Sequence, residues 1–150
     1  MVGIGYDSHR FAEGRKLVLG GVEIDHPLGL EGHSDADVLT HAVIDAILGA
    51  AGGGDIGTLF PPDEERWRDA DSIDLLRTAI GTIAGRVINV DATLICEEPK
   101  LAPYKPQMEQ ILGEATSARV TVKATTNEQM GWIGRGEGIA CIAVAEVQDD

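Results

Sequence analysis

Residues 33–52 read HSDADVLTHAVIDAILGAAG, and this stretch predicts the central helix of the protein. Its apolar residues recur at the three-to-four-residue spacing of an amphipathic helix, at positions 38, 39, 42, 43, 46, 47 and 50. Ser34 or Asp35 is the expected N-cap, and Gly52 is the expected stop. The stretch therefore predicts one long helix with a buried stripe.

The segments around this helix predict strands and two further helices. Val2, Ile4 and Tyr6 alternate with small or polar residues as in a strand, and the segment 16–25 predicts a hairpin that turns at Gly20 and Gly21. Further helices are predicted over 72–84 and 106–115, and further strands over 88–94, 120–122 and 139–147. This order predicts the α+β class, a single-domain α/β sandwich with one mixed β-sheet and helices on one face.

One face of that sheet is left without helices to cover it. Val120, Val122 and the final strand, which is apolar on both sides and expected to be buried on both, suggest that another subunit covers this face. No Pro/Ser-rich linker divides the chain, so residues 1–150 are expected to form one domain.

Composition excludes several classes of function. The chain has 12 Lys+Arg against 25 Asp+Glu, a net charge of −13, which argues against nucleic acid and anionic membrane surfaces as partners. The apolar stretch 42–51 is interrupted by Asp45 and is too short to span a membrane. Cys96 and Cys141 lie in apolar runs and are expected to be buried thiols. With no basic and apolar leader, a cytoplasmic location is expected.

Three residues could hold a metal ion. Asp7 and His9 are two apart on a strand and point to one side, where Gly3 and Gly5 leave room. A carboxylate and an imidazole so placed can supply two ligands of a tetrahedral Zn²⁺ site, although a solvated strand end gives the same pattern. His41 lies outside the apolar stripe of its helix, so it is either an exposed histidine or a further ligand.

Other segments could contact phosphate. His33 and Ser34 precede the helix and could form an anion site at its N-terminus, or simply cap it. The glycines of 52–57 can present backbone N–H groups to phosphate oxygens, or form a flexible loop. Phe60 stands in a polar surround and needs a packing partner. Arg135, between glycines, could bind phosphate bidentately or be a surface charge.

Seven motifs in order resemble the family of 2-C-methyl-D-erythritol 2,4-cyclodiphosphate synthases. They are GYDSHRF (5–11), LGGVEI (19–24), GLEGHSDADVLTH (29–41), GDIGTLFP (54–61), EPKLAPY (98–104), VKATTNE (122–128) and GRGEGIA (134–140). The resemblance implies cyclisation of 4-diphosphocytidyl-2-C-methyl-D-erythritol 2-phosphate with loss of CMP, a step of the non-mevalonate isoprenoid pathway. It also implies a homotrimer with active sites between subunits and sheet faces packed around the trimer axis.

The resemblance assigns roles to individual residues. Asp7, His9 and His41 would bind Zn²⁺, and Glu128 would bind a second ion, Mg²⁺ or Mn²⁺, that bridges the diphosphate. His33 and Thr126 would act on the transition state as the catalytic residues.

The resemblance also implies substrate contacts on several sides. Near the metal they are Asp7, Ser8, His9, His33 and Ser34; on the erythritol-phosphate side Asp55, Ile56, Gly57, Phe60, Pro61, Pro62, Asp63 and Glu64; around cytidine Cys96, Glu97, Glu98, Pro99, Lys100, Leu101 and Ala102; at the α-phosphate Thr125, Thr126, Asn127 and Glu128. Trp132 and Arg135 match positions at the central cavity of the trimer, where isoprenoid diphosphates can bind.

Two departures and two alternatives accompany this assignment. Residues 62–64 read Pro-Asp-Glu where the family usually has Asp-Thr-Asp, and Trp132 stands where Phe is common. A metal-dependent phosphohydrolase would use the same three metal ligands with a zinc-bound water. A trimeric module that binds nucleotides or isoprenoid diphosphates without turnover would keep the fold alone.

Overall fold

The computed structural model describes all residues, Met1–Asp150, as one mixed sheet with helices against one face. The strands are β1 (Val2–Ala12), β2 (Leu17–Leu19), β3 (Val22–Ile24), β4 (Gly29–Leu30), β5 (Arg86–Ile95), β6 (Arg119–Thr125) and β7 (Gly138–Gln148); the helices are α1 (Val38–Ala51), α2 (Ile56–Leu59), α3 (Ser72–Thr82), α4 (Lys105–Thr116) and α5 (Gly131–Gly134). The predicted helices and strands are all present, with ends that differ by a few residues.

The main sheet has five strands in the order β4-β1-β7-β5-β6. Strand β1 is antiparallel to β4 and β7, β5 is antiparallel to β7, and β5 and β6 are parallel. The hairpin β2-β3 forms a separate two-stranded sheet, which the single-sheet prediction did not include. Its turn packs on helices, because Gly20 lies against Leu39 and Met108, and Gly21 lies against Ile73.

Helix α1 packs on β1 at unusually short range. A Cβ atom on Gly5 would lie 1.9 Å from the carbonyl oxygen of Ala42, and one on Gly3 would lie 2.1 Å from that of Ala46. Only glycine on the strand permits this approach, because any side chain would overlap the helix backbone. The contact carries His41, the neighbour of Ala42, over the strand that holds Asp7 and His9.

The N-terminus of α1 differs from the prediction. The helix begins at Val38, and Asp37, not Ser34 or Asp35, is the N-cap, accepting a hydrogen bond from Thr40 N. The Asp37 carboxylate also accepts from Gly20 N and Gly21 N, both at 2.9 Å, so it joins the hairpin to the helix. His33 and Ser34 therefore lie in the preceding loop, and the helix terminus is closed to an anion by a buried carboxylate.

The sheet face opposite the helices is open and apolar. Val2, Ile4 and Tyr6 of β1 lie there beside Ile142 and Val144 of β7, and Ile4 is 71% exposed.

Two predictions about this face were wrong within the single chain. Strand β7 is buried along its helix side, but on its other side Ile142 and Val144 are exposed. Val120 and Val122 are buried on the helix side, where α4 contacts β6, so they are not part of the open face. No helix in the structure has the length and apolar character required to cross a membrane.

Candidate active site

Asp7, His9 and His41 meet at one point. Asp7 Oδ2 lies 2.8 Å from His9 Nε2 and 3.1 Å from His41 Nδ1, and the potential ligand atoms of all three lie within 4.8 Å of one another. His41 is 9% exposed, which rules out the exposed-histidine alternative. The structure therefore brings together the three residues that the sequence nominated as metal ligands.

The geometry of the cluster fits a zinc ion. Zinc bonds of about 2.0–2.2 Å place neighbouring ligand atoms roughly 3.4 Å apart, so small side-chain adjustments would admit the ion. His9 Nδ1 lies 2.8 Å from the carbonyl oxygen of Glu31, which holds the ring so that Nε2 faces the cluster. Three protein ligands leave a fourth position for a water or substrate oxygen, as in catalytic zinc sites.

His41 is oriented by a chain of hydroxyl and carboxylate groups. Its Nε2 lies 2.8 Å from Ser72 Oγ and 3.1 Å from Ser34 Oγ. Ser72 in turn donates from its hydroxyl and its backbone N–H to the carboxylate of Asp35. Because the Ser72 hydroxyl gives its hydrogen to Asp35, its oxygen can accept a hydrogen bond from His41 Nε2–H. In that tautomer, Nδ1 would be available to bind a metal. Sequence analysis did not find this role of Ser72 and Asp35.

The cluster is polarised as a partly buried ion pair. Burial by itself would raise the pKa of Asp7, but hydrogen bonds and charge from His41 and His9 outweigh it and lower the pKa to about 2. Burial would lower the pKa of His9, but the hydrogen bond and charge of Asp7 raise it instead. Asp7 is therefore ionised at neutral pH, the state in which a carboxylate binds a metal.

A cavity of about 200 Å³ opens beside the cluster. Its lining includes the metal-site histidines and half of the predicted erythritol-phosphate side: His9, His33, Ser34, His41, Ile56, Gly57, Phe60, Pro62, Trp67 and Leu75. Backbone N–H of Ile56 donates to Asp45 at 2.7 Å, which fixes the start of α2 at the cavity edge. The cavity is large enough for a small phosphorylated polyol fragment.

Trp67 and Leu75 are lining residues that sequence analysis missed. Trp67 packs edge-on against Phe60 with ring centroids 4.9 Å apart, which supplies the packing partner that Phe60 required. Glu64 accepts from Trp67 Nε1 at 3.1 Å and from Arg66 at 2.7 Å, so its carboxylate is engaged outside the cavity. Asp63 is exposed and does not line the cavity.

Arg15 holds the loop that carries His33. Its guanidinium donates to the carbonyl oxygens of Gly32 and Ser34 at 2.8 and 2.6 Å, one on each side of His33. The His33 carbonyl accepts from Asp69 N at 2.8 Å. Three hydrogen bonds therefore hold the backbone of residues 32–34, while the His33 side chain lines the cavity.

A second cavity, of about 160 Å³, lies at the ends of β5 and β6. It contains all of the predicted cytidine segment except Glu98, together with Ala124, Thr125 and Thr126. It shares no lining residue with the first cavity. In one chain, the predicted metal side and the predicted nucleotide side are therefore separate half-sites.

The remaining predicted residues lie outside both cavities. Glu128 and Asn127 follow β6 in an exposed turn, and Glu128 is not part of the metal cluster. Ser8, on the opposite face of β1, lines a groove of about 590 Å³ with Trp132. Arg135 is exposed and paired with Glu137 at 2.6 Å.

Fold and site together fit the class of metal-dependent enzymes, because three residues that could hold a metal ion lie beside a small-molecule cavity. The chain belongs to the YgbB family, whose model matches residues 1–148.

Named relatives agree with this membership. A relative from Symbiobacterium thermophilum, named 2-C-methyl-D-erythritol 2,4-cyclodiphosphate synthase, is 56% identical over 97% of this chain and 96% of its own. The solved bifunctional IspDF of Campylobacter jejuni superposes with a TM-score of 0.91 at 41% identity and covers 99% of this chain, which spans 42% of that longer protein. A solved 2C-methyl-D-erythritol-2,4-cyclodiphosphate synthase described as its CDP-bound form superposes at 0.87, with 33% identity over 99% of this chain and 100% of its own.

Proposed function

We propose that the protein converts 4-diphosphocytidyl-2-C-methyl-D-erythritol 2-phosphate into 2-C-methyl-D-erythritol 2,4-cyclodiphosphate and CMP. An oxygen of the 2-phosphate attacks the β-phosphorus, and the bond from that phosphorus to the oxygen bridging to the α-phosphate breaks. CMP leaves with that oxygen, and no covalent enzyme intermediate is required. The observation that carries the proposal is the convergence of Asp7, His9 and His41 beside the cavity in a chain so similar to named synthases.

Two cations would offset the charge of the substrate, since the chain itself has a net charge of −13. Asp7 Oδ2, His9 Nε2 and His41 Nδ1 would hold Zn²⁺, and the Glu128 carboxylate would hold Mg²⁺ or Mn²⁺ with phosphate oxygens and water as its other ligands. Bound cations polarise the diphosphate and stabilise the charge that moves onto departing CMP.

The residues of the chain position the reacting groups. His33 and Thr126 would donate hydrogen bonds to phosphoryl oxygens, and Ser34 lies beside His33 at the cavity. The cavity around Phe60 and Trp67 would exclude water from the erythritol moiety. Because nucleophile and electrophile belong to one molecule, holding both phosphates in line supplies much of the rate enhancement.

We propose further that three copies of the chain assemble through the open sheet face. The exposed apolar residues of β1 and β7 require cover, and copies of the same chain would provide it. Assembly would also place the metal side of one subunit against the nucleotide side of its neighbour, which accounts for the two separate half-sites. Trp132 would then lie near the trimer axis with Arg135. The cytoplasmic location stays a prediction.

A product assay tests the function. With the substrate, Zn²⁺ and Mg²⁺ supplied, we expect ³¹P NMR to show the cyclic diphosphate and CMP in equal amounts. Inorganic phosphate without CMP would instead indicate the phosphohydrolase. Tight binding of CDP with no turnover would indicate the non-catalytic module.

A further inference from the structure

The Glu97 carboxylate binds the backbone on both sides of Glu128. Asn127 N donates to Glu97 Oε2 at 2.7 Å, and Gln129 N donates to Glu97 Oε1 at 3.0 Å. The N–H between them, that of Glu128, donates to Thr126 Oγ1 at 3.2 Å. Three successive N–H groups are thus satisfied, two of them by one carboxylate that lies about thirty residues away in the sequence.

The turn that Glu97 holds is conformationally strained. Glu128 and Gln129 have φ angles of 54° and 63°, in the left-handed region that residues with side chains rarely adopt. Such a conformation is strained and persists only where its surroundings enforce it. Gly134 also approaches the turn so closely that a Cβ there would lie 2.1 Å from the Gln129 carbonyl carbon. The turn is therefore restrained both by the Glu97 carboxylate and by contact with Gly134.

This geometry indicates a role for Glu97 that differs from the cytidine contact implied by the family resemblance. Each of its carboxylate oxygens accepts a hydrogen bond from a backbone N–H group of the turn, so the carboxylate is held to the turn itself. Hydrogen bonds from N–H groups to a charged carboxylate are about twice as strong as neutral ones. The Glu128 side chain, in contrast, is exposed at the tip of the turn.

We propose that Glu97 is a positioning residue for Glu128: by clamping Asn127 N and Gln129 N, it presents the Glu128 carboxylate to the second divalent cation. The proposal rests on the proposed function, in which Glu128 binds that cation. The same clamp sets Thr126, because the Glu128 N–H occupies a lone pair of the Thr126 hydroxyl and leaves its hydrogen free for a phosphate oxygen.

Mn²⁺ binding measured by electron paramagnetic resonance at saturating CDP tests the clamp without relying on turnover. We expect Glu97→Ala to weaken Mn²⁺ binding about 10–100-fold, the usual cost of losing a group that orients a metal ligand. Glu97→Gln keeps one acceptor oxygen but turns an NH2 donor toward the second backbone N–H, so it is expected to restore only part of the affinity. Zinc content should be the same in all variants.

Glu109→Ala is the matched control. Glu109 also accepts a hydrogen bond from a backbone N–H of β6, that of Val122 at 2.9 Å, but away from the turn. The Glu109→Ala variant loses the same charge and a similar hydrogen bond, and we expect its Mn²⁺ affinity to be unchanged. An equal loss in Glu109→Ala and Glu97→Ala would show a general effect on β6 and overturn the proposal.

Glu128→Gln separates failure of the clamp from failure of the proposed cation site. If Glu128→Gln leaves Mn²⁺ affinity unchanged, Glu128 does not bind the cation and the proposed function loses this ligand. If Glu128→Gln weakens binding but Glu97→Ala does not, the clamp is overturned and the cation site stands. A third outcome is that Glu97→Ala weakens CDP binding measured in the absence of Mn²⁺ but leaves the Mn²⁺ affinity at saturating CDP unchanged. In that case Glu97 acts on the nucleotide and the clamp is overturned.

Discussion

The metal half-site and the nucleotide half-site are built in different ways. Around Asp7, His9 and His41, the polar groups have partners within the chain and both histidines are largely buried. Around Thr125 and Glu128, the side chains are exposed. Folding of one chain is sufficient to assemble the metal half-site. The nucleotide half-site, in contrast, would be completed by the neighbouring subunit proposed above. The two halves should therefore respond differently to mutation.

Removing a metal ligand is expected to have the largest effect. In His41→Ala the cluster loses one of three ligands, so zinc should be lost and turnover should fall at least about a thousandfold, equal to several kcal/mol of lost charge stabilisation. Zinc content by atomic absorption and the CMP assay measure both. His26→Ala, which removes a histidine packed against Phe11 away from the cluster, should leave zinc and turnover unchanged.

Placing a charge on the open sheet face should separate the two half-sites. Ile4→Asp would bury a carboxylate in the proposed subunit interface, so we expect monomers that keep zinc but lose about a hundredfold or more in turnover. Sedimentation velocity and zinc analysis measure the two properties. Thr78→Asp adds the same charge on the exposed side of α3 and should leave the assembly intact. Monomers with full turnover would contradict the inter-subunit site.

We expect the close contact of α1 with β1 to affect the metal half-site and not the nucleotide half-site. Gly5→Ala forces a Cβ into the backbone of Ala42, and overpacking of this kind costs about 1–3 kcal/mol of unfolding free energy. Urea denaturation should show this loss, and zinc affinity should fall because His41 is displaced. Gly81→Ala, with nothing within 4 Å of the added methyl group, should be neutral or slightly stabilising. Equal stability of both variants would show that the contact does not set the site.

The smallest expected effect comes from the hydroxyl that orients His41. Ser72→Ala removes the 2.8 Å partner of Nε2 but leaves Ser34 at 3.1 Å, so zinc affinity should fall toward the low end of about 10–100-fold. Chelator competition measures this affinity. Thr78→Ala, which removes a hydroxyl bonded only within α3, is the control. An unchanged affinity in Ser72→Ala would mean that Ser34 alone orients the ring.

Sequence periodicity predicted that Asp7 and His9 lie on one face of a strand, but not that His41 approaches them. The two-residue spacing of Asp7 and His9 fixes their common face, because strand side chains alternate. The approach of His41 depends on the Gly5–Ala42 contact, which no local pattern reveals. The helical pattern left His41 open between an exposed histidine and a ligand, and the resemblance to a known family favoured the ligand.

The elements that were missed depend on long-range hydrogen bonds. Ser34, Asp35 and Asp37 are all good N-caps, and the choice of Asp37 follows from its bonds to Gly20 and Gly21 across the fold. Ser72 reaches His41 from 31 positions away, so its spacing carries no signal.

The central claim is that one cation is held by Asp7, His9 and His41, and anomalous scattering at the zinc edge tests it most directly. In crystals of the wild-type protein we expect a zinc peak about 2.0–2.2 Å from Asp7 Oδ2, His9 Nε2 and His41 Nδ1. The peak should be absent from crystals of His41→Ala. A zinc-loaded wild-type crystal with no peak at this position, or with its zinc bound elsewhere, would contradict the account.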